Sequence, residues 1–235
     1  MILGLVAMMA SCGTSKKSAT ATALEANRDR REVLLAEVKR KAIREARKEA
    51  SGLKKEGYKA FVGDLPIDRQ IENTRLKAVD INDLGYPHYI VGSAFVTGGN
   101  MTAAKSQALH AAKLEIASLT SSMVASLIES SIANNELSSQ ESASLNKHLQ
   151  ATKELIVADF GQVNKDLEIY RELPNKNIQI LIRLSYNLDQ ALEAAKRRMV
   201  KEMEGDTQAL HQKLDKVFNL DRIQPQSNTN IETTE

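Results

Sequence analysis

One stretch decides the fold, LEIYRELPNKNIQILIRLSY, which occupies residues 167–186. In its first part apolar residues alternate with charged or aromatic ones, and from residue 178 onward every second residue is Ile, Leu or Tyr. A period of two is typical of strands with one buried face, and PNKN at 174–177 consists of turn formers. The stretch predicts a β-hairpin with one buried face, formed by Leu167, Ile169, Leu173, Ile178, Ile180, Ile182, Leu184 and Tyr186.

A third strand lies upstream, at YIVGSAFVT, residues 89–97. It is β-branched and aromatic, and it is apolar on both faces, which is typical of a well-buried strand. Gly92 within it indicates that another backbone or a helix passes close by.

Helices are expected on either side of the hairpin. One begins at a cap on Asn100 or Thr102 and ends near Ser131. The next covers 138–157 and opens with Ser-x-x-Glu, a capping box. The last covers 188–218, with a bend near Gly205. After a small linker unit, with a short extended piece at 58–62 and a short helix that ends at Val79, the order is strand, helix, helix, strand, strand, helix. It predicts an α+β domain over 58–220, in which helices cover one face of a three-stranded antiparallel sheet.

A long charged amphipathic helix is predicted ahead of this domain, over 24–57, with its regular part at 24–55. It carries one thin apolar stripe, so we expect it to bind a partner protein of the cell envelope or a second copy of the chain. A nucleic-acid or anionic-lipid patch is the alternative interpretation of its Arg and Lys side chains. The interleaved Glu residues favour a solvated face instead.

The N-terminus resembles an export signal for a lipoprotein. An apolar run, Met1–Ala10, precedes the only cysteine, Cys12, and it is too short to span a membrane. These features predict a signal peptide at 1–11, acylation of Cys12 that anchors the chain to a lipid bilayer, and a flexible tether at 12–23. Residue 13 is Gly rather than Asp, which favours the outer membrane, facing the periplasm. The alternative is a cytosolic protein with an incidental cysteine. A disordered tail is expected at 221–235.

Two stretches carry a resemblance to a known family. HYIVGSA at 88–94 and EIYRELPNKNIQILIRLSYN at 168–187 resemble the Lpp-twenty type of lipoprotein, named for a twenty-kilodalton outer-membrane antigen of Helicobacter. More closely, residues 57–196 are similar to an uncharacterised group of Bacteroidetes lipoproteins that share the runs GYPxYIVG and YRxLPNKN. The resemblance implies an α+β domain on a lipidated tether at the outer membrane, and it brings no active site. The helix at 24–55 is an addition to this pattern.

No catalytic, cofactor-binding or metal-binding residue is assigned from the sequence. The four histidines have no ligand spacing, and the turn at 80–85 lacks the Glu that a calcium loop needs at its twelfth position. Net charge is only +2 and aromatic content is 4%, so nucleic acid is not expected as a partner. Cross-strand charge pairs are expected on the open face of the hairpin, among Glu168, Arg171, Glu172 and Arg183.

We therefore expect a non-enzymatic envelope lipoprotein that acts as a structural or protein-interaction module. Two alternatives stay open. One is a module that binds a small ligand or a glycan in the groove between sheet and helices. The other is a hydrolase whose acidic site has no recognisable motif, with an Asp or Glu of perturbed pKa in a cleft.

Overall fold

The computed structural model describes residues 19–82 and 85–218. The predicted signal peptide 1–11, Cys12 and the tail 221–235 lie outside these residues. Within them the chain forms, in order, α1 Ala19–Lys55, β1 Lys59–Ala60, α2 Ile67–Ala78, β2 Tyr89–Gly98, α3 Met101–Ala133, α4 Ser139–Thr152, a 3-10 helix Leu155–Asp159, β3 Asn164–Glu172, β4 Ile178–Asn187, α5 Leu188–Glu202 and α6 Gln208–Val217.

The strands form one antiparallel sheet in the order β1-β3-β4-β2. The α+β class is therefore confirmed. The expected three-stranded sheet is wrong, because β1 pairs with β3 through Lys59 and Ala60 and adds a fourth strand. The sequence predicts a short extended piece at 58–62, but two paired residues are too few to show a period of two, so their place in the sheet is not predicted.

Helices cover both faces of the sheet, so the expectation that they cover one face is wrong. On the first face α3 packs directly on β2 and β4, and α4, α5 and α6 pack against α3 and one another. On the second face α2 packs on β3, together with the part of α1 that carries Ala46 and Ala50. The sheet is thus the middle layer of three.

The hairpin buries both of its faces, contrary to the expectation. Leu167 lies opposite Arg183 and Ile169 opposite Leu181. Directly opposed residues share a face, so Leu167 and Ile169 point to the second face. The even-numbered isoleucines of β4 pack on the first face.

Helix α1 does not stand ahead of the domain as a separate element. The chain divides into two compact units, Met1–Arg40 and Lys41–Glu235, so the last fifteen residues of α1 belong to the α+β unit. There Ala42, Ala46 and Ala50 are buried. The helix also begins at Ala19, before the predicted start at residue 24. In the first unit Val33, Leu34 and Val38 are exposed.

Helix caps follow the sequence closely. The Asn100 side chain accepts from the Ala103 N–H at 3.1 Å and begins α3. Ser138 and Glu141 form the predicted capping box at the start of α4. The predicted continuation to 157 is interrupted after Thr152, where a 3-10 helix takes over. The predicted bend near Gly205 is a break between α5 and α6.

Candidate functional site

The predicted lipidation site, Cys12, lies outside the described residues. Inside them, an apolar groove lies between β2 and α3, which we name the β2 groove, with a volume of about 530 Å³. Its lining consists of Ala78, Tyr86, Pro87, Tyr89, Ile90, Val91, Leu119, Ser122, Met123, Ser126, Leu127 and Ser130. Hydroxyls of Tyr and Ser are the only polar side-chain groups in this lining. The groove therefore presents binding surface and no carboxylate, imidazole or amine for acid–base catalysis.

One wall of the β2 groove is the segment that leads into β2. Pro87 pairs with Ile81 in an isolated bridge, and the Asn82 side chain accepts from the Tyr86 N–H at 2.9 Å. Asn82 and Gly85 thus take part in a tight turn that holds Tyr86 and Pro87 next to the strand.

The opposite wall is one face of α3, on which apolar and serine side chains recur every three or four residues. The hydroxyls of Ser122, Ser126 and Ser130 each donate to the carbonyl four residues earlier, at 2.9–3.2 Å. Each hydroxyl proton is therefore already used within the helix. The serines make this wall narrow and only weakly polar, and the nearby leucines supply its apolar surface.

The floor of the groove is the free edge of the sheet. β2 pairs with β4 along its whole length and is the last strand in the order. The Ser93 N–H donates to the Glu115 carboxylate, so it points away from β4. Because peptide direction alternates along a strand, the peptide group of Val91 points away from β4 as well, toward the groove. Among the described residues, the groove thus combines apolar walls with a strand edge that no other strand pairs.

A second cleft, of about 660 Å³, is polar and lies where β4 meets α5. The Tyr186 hydroxyl in it accepts from the Gly161 N–H at 3.0 Å. Asp159 is held by Arg198 at 2.6 Å and by Lys201 at 3.5 Å. Its carboxylate is thus neutralised by two cations, so this cleft presents paired charges instead of a free base.

Lys77, Asp166 and Ser185 form a cluster that superficially suits nucleophilic catalysis. The Lys77 ammonium donates to Asp166 at 2.6 Å and to the Ser185 hydroxyl at 3.0 Å. A base that activates serine must accept the hydroxyl proton, whereas this nitrogen donates to the hydroxyl. Ser185 is also completely buried. The cluster therefore connects α2 to β3 and β4, and no substrate reaches the serine.

The charge pairs expected on an open face of the hairpin are wrong, because the hairpin has no open face. Glu168 is buried on the first face, where Lys105 lies 2.8 Å from it and Lys165 is its second partner. Arg183 lies on the second face and pairs with Glu49 of α1. The partners come from helices and from within one strand, and not from across the hairpin.

Glu49 pairs with two arginines, Arg75 and Arg183. Burial raises the pKa of its carboxyl, but hydrogen bonds and charge from Arg183 and Arg75 outweigh burial and hold the pKa below the ordinary 4.5. Arg75 on α2 donates to it at 2.8 Å, and Arg75 also lies 3.6 Å from Glu45. Glu45 and Glu49 are thus directed toward α2 and the sheet.

The histidines do not converge. His148 pairs with Asp206 at 2.8 Å, and His211 contacts the Met203 carbonyl at 3.1 Å. No group of three His, Cys, Asp or Glu side chains among residues 19–82 and 85–218 is arranged to hold a metal ion.

Helix α3 is long and apolar enough to meet the usual test for a membrane span. Its position in the fold explains this composition, since the side with Ala104, Ala108 and Ala112 is buried against the sheet. Its other side exposes polar groups such as Glu115 and Glu129. In this structure α3 is the central core helix.

No protein-family model, curated protein or solved structure matches the chain. The candidate site therefore depends on the geometry of the β2 groove, whose position and lining the sequence pattern did not predict. A signal for the groove is present in the recurrence of Ser and Leu along residues 118–130, but that signal has meaning only once α3 is known to lie beside the edge strand.

Proposed function

We propose that the chain is a non-enzymatic binding module of the bacterial cell envelope, which holds an extended apolar segment of a partner protein in the β2 groove. One observation carries this proposal: the groove joins a strand edge that no described strand pairs to apolar walls, and its lining holds no carboxylate, imidazole or amine. Extended peptides bind such edges by adding a strand, with main-chain hydrogen bonds for affinity and side-chain pockets for specificity.

The cellular location is proposed from the N-terminal sequence. Met1–Ala10 is an uninterrupted apolar run and Cys12 follows it, which suits acylation at the outer membrane with the folded part facing the periplasm. The resemblance to the Lpp-twenty type of lipoprotein and to the Bacteroidetes group agrees with this location. Labelling cells with a fatty-acid probe tests it: the wild type should be labelled and Cys12→Ala should not, and equal labelling of both contradicts acylation at this residue.

The groove is tested with peptides selected from a random displayed library, whose affinities are then measured in solution. Leu119→Glu places a charge in the lining. It should weaken the selected peptides about 10- to 100-fold, because burial of one Leu contributes about 1.5–3 kcal/mol. Leu109→Glu is the matched control, since Leu109 is on the same helix, outside the lining, and 38% exposed compared with 43% for Leu119.

Hydrogen exchange distinguishes strand addition from other modes of binding. A bound extended peptide should slow exchange of the Val91 amide, which points toward the groove. Equal weakening by Leu119→Glu and Leu109→Glu, or unchanged exchange at Val91, would contradict the proposed mode.

A small apolar ligand is the second candidate, favoured by the groove volume of about 530 Å³, which lies in the usual range of ligand pockets. A thermal-shift screen tests it. A compound that raises the melting temperature of the wild type and of Leu109→Glu, but not of Leu119→Glu, supports this candidate over the peptide.

A further inference from the structure

Helix α1 has a face that the sequence pattern alone does not reveal. From Lys41 to Lys55 it carries both signs of charge, but the packing of the α+β unit separates them. Ala42, Ala46 and Ala50 are buried against the unit. Glu45 and Glu49 point toward α2 and the sheet, where Arg75 and Arg183 pair with them.

Five basic side chains are left on the outer side, which we name the basic face: Lys41, Arg44, Arg47, Lys48 and Lys55. All five are exposed, and across the ranges 19–82 and 85–218 none of them makes an ion pair. They recur at intervals of one, three, four and seven residues, which places them along one side of a helix. At 1.5 Å per residue the face is about 21 Å long.

Two of the interleaved Glu residues, Glu45 and Glu49, are paired with Arg75 and Arg183 and therefore do not neutralise this side. A row of cations whose neighbouring acids are paired elsewhere is complementary to an array of phosphates. The long aliphatic stems of Lys and Arg also suit a surface that is apolar beneath its charged groups. The geometry points to a docking surface: we infer that the basic face of α1 binds the phosphate headgroups of an anionic phospholipid bilayer.

A bilayer fits this face better than a nucleic acid does. The face consists of Lys and Arg alone, without the Asn or Gln side chains that read adenine in a DNA groove. It carries no aromatic side chain on which a single-stranded base could stack. The inference is independent of the β2 groove and of acylation at Cys12.

The test measures partitioning of the full chain with Cys12→Ala onto vesicles, by co-sedimentation. Phosphatidylcholine vesicles with 30% phosphatidylglycerol should bind the protein, and pure phosphatidylcholine vesicles report what Met1–Ala10 contributes. Raising the salt from 0.1 to 0.5 M shortens the screening length from about 10 Å to roughly 4 Å. It should release most of the anionic-lipid binding.

Lys41→Gln/Lys48→Gln should lower the partition constant about 25-fold, because each basic residue near an anionic surface contributes about fivefold. Gln has a helix propensity close to that of Lys, so α1 is retained. Lys147→Gln/Lys153→Gln is the matched control. It removes the same charge from two exposed lysines, one within α4 and one directly after it, that have no ion pair within the described chain, and it should bind like the parent.

Three results would each overturn the inference. The first is equal binding to vesicles with and without phosphatidylglycerol. The second is equal loss of binding in the control pair and the α1 pair. The third is tighter binding to a 20-base-pair DNA duplex than to the anionic vesicles, which would make nucleic acid the partner of this face.

Discussion

Replacing Gly92 by Ala tests the packing of the sheet on its central helix. A Cβ at this position would lie 2.4 Å from the Ala112 carbonyl oxygen and 2.7 Å from the Ile116 Cγ1. Ordinary contact requires roughly 3.5 Å, so α3 and β2 would have to separate by about 1 Å. The oxygen belongs to the backbone, and no change of rotamer relieves the contact.

Overpacking of a well-packed core costs about 1–3 kcal/mol, and a backbone obstacle on the buried side of α3 places this variant at the upper end. Ala also lowers the conformational entropy of the unfolded chain, which stabilises the folded state by about 0.4–1 kcal/mol. We therefore expect Gly92→Ala to reduce the free energy of unfolding by about 2–3 kcal/mol. For a unit of this size the melting temperature should fall by roughly 4–10 °C.

Thermal and urea unfolding followed by circular dichroism measure this effect. Gly52→Ala is the control, because Gly52 lies within α1 and has no atom within 4 Å of an added Cβ. That variant should be more stable than the wild type by about 0.5–1 kcal/mol. Shortening Ile116 to Val in the Gly92→Ala background should not restore stability. A Gly92→Ala protein that melts at or above the wild type would refute the close approach of α3 to β2.

Two further predictions concern polar groups. Glu49→Gln should reduce stability by about 2 kcal/mol at pH 7. Because the pKa of Glu49 is lower in the folded state, its stabilisation is present above about pH 4.5 and disappears as the pH falls through the folded pKa. Urea unfolding from pH 7 to pH 3 should therefore show that the difference in unfolding free energy between the wild type and Glu49→Gln becomes smaller. A difference that stays constant over this range contradicts the pairing. Ser138→Ala removes the cap of α4 and should cost about 1 kcal/mol, whereas Ser139→Ala, one residue inside the helix, should be nearly neutral in the same unfolding assay.

Elements with local chemical signatures were predictable from the sequence. The caps at Asn100 and Ser138 are satisfied by their own side chains within four residues, so they need no tertiary information. The close approach at Gly92 was also predictable, because a glycine weakens the interior of an apolar strand unless a neighbouring backbone or helix needs the space. The β2 groove was not predictable. Its walls come from residues about thirty positions apart, and neither wall is unusual alone.

The faces of the hairpin could not be predicted from alternation, because one residue in the turn decides them. A loop of four residues at 174–177 would place Ile169 opposite Ile182, with all the apolar residues on one face. In the structure the loop is one residue shorter. The Lys176 N–H donates to the Leu173 carbonyl at 2.9 Å, and Lys176 itself has a φ of 64°. This is a type I turn followed by a left-handed residue, which shifts the pairing by one and reverses a face.

That single shift has consequences as far as the surface of α1. Because Leu167 and Ile169 point to the second face, this face must be covered, and α2 with the end of α1 covers it. The alanines of α1 are then required for close contact, and Arg183, which shares the face, needs an acid from the helix above it. Glu49 fills that role, and α1 is thereby rotated so that its cations remain outside. The basic face is thus a product of the register of the hairpin, which explains why the composition of α1 alone indicates only a solvated helix.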